Sequence, residues 1–153
     1  MSALSFTLSP DYGYVILAAA STFILNTIHS INTGKYRKAA AIAYPAAYAS
    51  NEQAKESDDA YRFNCAQRAH ANFSENHPSV LATLLIAGVE FPRVAAGLGG
   101  IWVLGRYLYM TGYSNLSLGR GGKGRYRGMI MWIGQLGLLG LTGYTGLSMV
   151  LGW

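Results

Sequence analysis

Arg68-Ala69-His70-Ala71-Asn72-Phe73-Ser74-Glu75, continued by Asn76-His77-Pro78 and then by the almost purely apolar run from Val80 to Val89, is the stretch whose reading decides the fold. On a helix, Arg68, Asn72 and Glu75 stand at i, i+4 and i+7, so their side chains share one face, with Cys65 one turn earlier. An Arg or Glu at the centre of a bilayer costs roughly 2.5 to 3.5 kcal/mol, against roughly 0.3 to 0.6 kcal/mol gained per Leu, Ile, Val or Phe. About a dozen apolar neighbours would be needed to offset the pair. This helix is therefore not expected to face lipid all round; its polar face looks into a bundle or onto a polar ligand. The alternative is an inter-helix ion pair near the membrane surface, with no ligand at all.

Composition agrees with a membrane setting. Of 153 residues, 51% are hydrophobic and only 12% charged, with 19 Gly and 11 Tyr. That length allows one domain over residues 1–153. A single cysteine, Cys65, leaves no intrachain disulfide and no cysteine-based metal site. The net charge of +5 sits in short clusters between apolar runs, a pattern of topology signals and anion contacts rather than of nucleic-acid binding.

Four spans follow from the hydropathy pattern, at about residues 12–31, 60–89, 94–113 and 128–151. The first carries no Lys or Arg before it and no cleavage-like site after it, so it is expected to be a transmembrane helix rather than a secretory signal. Asn26 and His29 should face the bundle or lie at the membrane interface, and Lys35, Arg37 and Lys38 end the span. Residues 39–61 are expected to be a solvated loop whose acids are surface groups. Pro78 should kink the second span and free the carbonyl near Ser74. Glu90-Phe91-Pro92-Arg93 is a tight turn. Gly97, Gly99, Gly100 and Gly105 permit close helix contact in the third span. Arg106, Tyr109 and Tyr113 share a face there, although tyrosines at a span's end also suit a membrane interface. A basic, glycine-rich loop carrying Arg120, Lys123, Arg125 and Arg127 precedes the fourth span, which ends at Trp153 and holds Gln135 for a bond between helices. The positive-inside rule puts both basic connections in the cytoplasm. The loop lacks the strand and the Ser/Thr of a phosphate-binding loop. His70 and His77 lack a third partner for a metal.

Guanidinium forks for carboxylates, one carboxylate for an ammonium, and hydroxyl and amide groups for peptide bonds together suit a small zwitterionic, carboxylate-rich peptide. The Arg68-x-x-x-Asn72-x-x-Glu75 helix with Pro78, the Tyr109-Met-Thr-Gly-Tyr113 segment and the basic loop before the last span resemble the MAPEG family of membrane glutathione transferases. Phe63-Asn-Cys-Ala-Gln-Arg-Ala-His70, Phe91-Pro-Arg-Val-Ala-Ala-Gly-Leu98 and Ser30-Ile-Asn32 are similar to the microsomal glutathione S-transferase 3 branch of it.

The resemblance implies an all-α, integral membrane four-helix bundle assembled as a homotrimer in the endoplasmic reticulum or other intracellular membranes. Glutathione would be the co-substrate, bound between subunits and requiring no metal. It further implies that Arg68, His70, Asn72, Glu75, Tyr109, Tyr113, Arg37 and Lys38 contact glutathione. A loop arginine would hold its thiolate: Arg120 by spacing from Tyr113, Arg125 by matching the Arg-x-Arg-Gly run, and Arg127 third. Asn76 stands where some relatives have Tyr. The expected reaction is conjugation of lipophilic electrophiles, as in a leukotriene C synthase, or reduction of lipid hydroperoxides. Two alternatives remain: a non-catalytic lipid-binding or scaffolding protein of the same fold, and a small transporter or channel subunit. The absence of paired broken helices weighs against the second.

Overall fold

The computed structural model describes residues 8–152, and among them the chain is helical with no strand. Five α-helices follow one another: α1 Tyr12–Ala39, α2 Asn51–Glu56, α3 Asp58–Glu90, α4 Pro92–Tyr113 and α5 Met131–Leu151. Two short 3-10 turns, Leu116–Leu118 and Lys123–Gly128, lie in the basic loop. The four long helices form one bundle. In it α3 and α4 are the central pair, each packed against the other and against both α1 and α5.

Local chemistry sets the helix ends. Ser57 caps α3 through its hydroxyl, which accepts from the Ala60 amide at 3.3 Å, and Asp58 and Asp59 place negative charge at the positive end of the helix dipole. Phe91 is the only residue between α3 and α4, and Pro92 opens α4, where a missing N–H costs nothing. The tight turn expected there is present.

Several boundaries differ from the sequence reading. Helix α1 continues eight residues beyond Ile31, to Ala39, because nothing in Asn32 to Lys38 breaks a helix and the basic residues Arg37 and Lys38 suit its negative C-terminal end. The segment expected to be only a loop holds α2, nucleated by a capping box in which Ser50 accepts from the Gln53 amide and the Gln53 side chain accepts from the Ser50 amide. Hydrogen bonds from its own backbone and then from Ser50 hold the Glu52 carboxyl below the usual range. Helix α3 runs through Pro78 for 33 residues, as the 60–89 span required, with the Asn76 side chain donating to the Asn72 carbonyl and the Ser79 hydroxyl donating to the Asn76 carbonyl, both ahead of the proline. Of the α4 glycines, Gly97 and Gly100 face open space, whereas Gly99 lies against Leu84 and Ala18. Gly105 lets α4 meet α5 at the backbone, since a Cβ there would fall 2.5 Å from the Met131 nitrogen.

The core is aromatic and aliphatic, with Phe73, Leu84, Trp102 and Leu138 fully buried. Outside it, large apolar side chains such as Leu17, Ile24, Ile31, Ile133, Leu136 and Leu139 are exposed. Among the described residues one helix, α1, is long and apolar enough to cross a membrane by itself. Trp153, expected at the end of the last span, lies outside the described residues.

Polar bonds also cross the bundle. Gln135 of α5 donates to Asn76 of α3 at 3.1 Å and accepts from the Trp102 indole of α4 at 3.4 Å, the inter-helix role expected for it. Asn26 and His29 of α1 face the bundle: Asn26 Oδ1 is 3.2 Å from His70 Nε2, and His29 is buried against Phe73 and His70.

Candidate functional site

The 3.6-residue period of α3 brings Arg68, Asn72 and Glu75 together as their spacing requires. Arg68 Nη1 donates to Glu75 Oε1 at 2.7 Å and Nη2 to Oε2 at 3.4 Å, while Asn72 Nδ2 donates to the same carboxylate at 3.3 Å. Both members of the ion pair keep about half of their side-chain surface exposed, at 47% and 51%. The pair therefore lies on the outer face of the bundle, near the middle of α3.

Behind it stands Arg106 of α4. Its Nη1 donates to Asn72 Oδ1 at 2.6 Å, and only 1% of the residue is exposed. Its Nε and Nη2 are buried with no hydrogen-bond acceptor. A buried guanidinium with two idle donors is costly, and its charge has no carboxylate in contact. Asn72 thus links two guanidiniums, donating to the carboxylate that binds Arg68 and accepting from Arg106.

From Arg106 an aromatic track leads along α4 to the basic loop. The guanidinium carbon lies 5.2 Å from the Trp102 ring centre and 5.8 Å from that of Tyr109. The Tyr109 and Tyr113 rings meet edge to face at 5.5 Å, and Arg125 lies 5.7 Å from the Tyr113 ring centre. One continuous series of groups, Arg68, Glu75, Asn72, Arg106, Tyr109, Tyr113 and Arg125, runs from mid-bundle to the loop.

A family model described as the MAPEG family matches residues 15–147. The chain belongs to that family. MAPEG proteins are membrane-associated and use glutathione; they include glutathione transferases and peroxidases as well as non-catalytic members.

Not every residue the resemblance implied lies on this MAPEG track. His70 turns toward α1, where it meets Asn26 and stacks on His29 at 5.7 Å. Arg37 is occupied in the α1–α2 connection, donating to the Ala46 carbonyl at 2.8 Å and covering the Tyr44 and Phe63 rings. Lys38 lies beside it, at a shallow cleft lined by Gly34, Ala41 and Tyr44. Arg120 pairs with Asp58 at the start of α3. Among the described residues no group of three or more His, Cys, Asp or Glu is arranged to hold a metal. Sequence reasoning left Arg106 outside the candidate set. The available signal was its place one turn before Tyr109 on the same face, in a span where an arginine is expensive unless it has a task.

Proposed function

We propose that this MAPEG protein is a membrane glutathione transferase, of the microsomal glutathione S-transferase 3 kind, that binds glutathione on the α3–α4 face and uses it as the thiolate. The observation that carries the reading is the buried Arg106 guanidinium, with two unpaired N–H donors behind the Arg68–Asn72–Glu75 cluster. A guanidinium with unpaired donors suits an anion, to which such donors bond strongly. Arg68, Arg106 and Asn72 suit the carboxylates and amides of glutathione, Glu75 its ammonium group, and the two tyrosines its peptide groups.

A free thiol with a pKa of about 8.5 is only a few per cent thiolate at neutral pH. A guanidinium within roughly 4 to 6 Å lowers such a pKa by about 1 to 3 units, so most of the bound peptide becomes nucleophilic and its proton leaves to water. In conjugation the sulfur bonds to an electrophilic carbon and a leaving group departs. In peroxide reduction the thiolate attacks the peroxide oxygen and releases an alcohol; a second glutathione then reduces the sulfenic acid to disulfide and water. Both reactions begin at the same thiolate.

The exposed apolar coat of the bundle supports four spans in the membrane, and hence direct access for a lipophilic electrophile or lipid hydroperoxide. The half-exposed Arg68–Glu75 pair on that coat supports a homotrimer whose neighbouring subunit covers it. Arg37, Lys38 and His70 would then act across the subunit boundary. Endoplasmic reticulum residence follows the same likeness. Calorimetric titration of purified protein with glutathione tests the reading. Saturable binding that Arg68→Ala weakens at least about tenfold is expected, and no binding to intact oligomers would refute it.

A further inference from the structure

We propose that Arg120 is a positioning residue, a latch closed on Asp58, and that its task is to hold the glycine-rich loop as a strap that presents Arg125 to the site. The inference rests on the glutathione reading for what Arg125 does, but the latch itself is independent of it.

Arg120 is fully engaged away from the α4 tyrosines. Its Nη2 is paired with Asp58, its Nη1 donates to the Ala54 carbonyl at 3.3 Å, and its guanidinium covers the Tyr61 ring at 4.8 Å. The next residue adds to the grip, since the Gly121 amide donates to the Tyr61 hydroxyl at 2.7 Å. Asp58 occupies the first turn of α3, where the helix dipole favours its charged form. A guanidinium compensated in this way has little field left for a second anion.

Arg125 is the opposite case. Its partners are the Gly122 carbonyl at 3.1 Å, the Gly121 carbonyl at 3.4 Å and the Tyr126 hydroxyl at 3.1 Å, and among the described ion pairs it has no carboxylate. It faces the Tyr113 ring, 5.7 Å from its centre.

Latch and presented arginine are joined through two residues. Gly121 is held by Tyr61 on one side and accepts from Arg125 on the other. Gly122 has a φ of 71°, and a Cβ there would fall 2.6 Å from the Tyr113 ring and 2.7 Å from Arg125 Nη1, so only glycine can carry the strap between them. Opening the Arg120–Asp58 pair releases the segment that fixes the Arg125 guanidinium against Tyr113. Because the pair is exposed, at 44% and 63% of side-chain surface, the latch is weak and reversible.

The test compares wild type, Arg125→Gln, Arg120→Gln, Asp58→Asn, Asp58→Glu and the reciprocal exchange Arg120→Asp with Asp58→Arg. The readouts are ultraviolet thiolate absorbance with glutathione, steady-state conjugation of chlorodinitrobenzene, and the rate of tryptic cleavage after Lys123. Arg125→Gln should abolish the thiolate signal and lower kcat at least about tenfold, with KM for glutathione changed less than about threefold. Arg120→Gln and Asp58→Asn should each lower kcat by a similar factor of about three to five, without adding in the double variant, and should speed cleavage. Asp58→Glu and the charge exchange should restore both. Loss of thiolate in Arg120→Gln but not in Asp58→Asn would make Arg120 the thiolate's own partner and overturn the inference, as would full thiolate in Arg125→Gln. No thiolate in wild type would defeat the glutathione reading instead. In that event unchanged cleavage in Asp58→Asn would still overturn the latch.

Discussion

Arg106 holds the site together from behind: through Asn72 it touches the group that orders Glu75, and Glu75 in turn orders Arg68. A residue kept for binding rather than stability has a recognisable signature. Arg106→Met should leave the melting temperature of the empty protein level or higher, because it removes a buried charge with unsatisfied donors. The same change should lower glutathione affinity at least about tenfold and abolish the stabilisation that glutathione confers on wild type. Thermal scans with and without glutathione check both parts, and a variant that melts earlier yet still gains stability from glutathione would show a structural arginine instead. Glu75→Gln keeps the shape and removes the charge. Since an exposed ion pair contributes only about 0 to 1 kcal/mol, stability should barely move while glutathione affinity falls, as calorimetry would show.

Helix α3 shows how much of an element is legible in a chain. Its polar face and its end before Phe91-Pro92 follow from spacing and the proline that opens α4, whereas its start at Asp58, ahead of the expected residue 60, is set by the Ser57 cap. The passage through Pro78 followed from the length of the apolar pattern, and the Asn76 and Ser79 side chains bond to the Asn72 and Asn76 carbonyls just ahead of the proline. Helix α2 was missed because its charged composition resembles a loop and its helicity depends on the Ser50–Gln53 capping box. Glycines were legible only as a class: whether each one meets a neighbour depends on helix rotation, which separates Gly105 from Gly97 and Gly100. Replacing Gly105 by Val should therefore destabilise by about 1 to 3 kcal/mol or more, while Gly97→Ala should be neutral or mildly stabilising, as denaturation would measure. For the same reason the shared faces of Arg68, Asn72 and Glu75 and of Arg106, Tyr109 and Tyr113 could be read from the period, but the surroundings of Arg120 and Arg125 could not. Both lie in a loop whose path is set by glycines with positive φ and by contacts 60 or more residues away in sequence.

At the scale of the whole molecule, many large apolar side chains are exposed, and the Arg68–Glu75 pair is half-exposed partway along α3. Lipid would be a poor neighbour for that pair, so the account expects a second subunit there. Native mass spectrometry from mild detergent should find a trimer, and conditions that dissociate it should abolish glutathione binding while leaving the helical signal intact. Monomers that bind as tightly as the assembly would contradict that expectation. The central claim, however, is chemical, and titrating wild-type protein with glutathione while recording ultraviolet thiolate difference absorbance tests it most directly. A saturable thiolate signal near neutral pH, displaced by an S-alkyl glutathione, is expected. Saturable binding with the thiol still protonated, or no signal from intact oligomers, would contradict it.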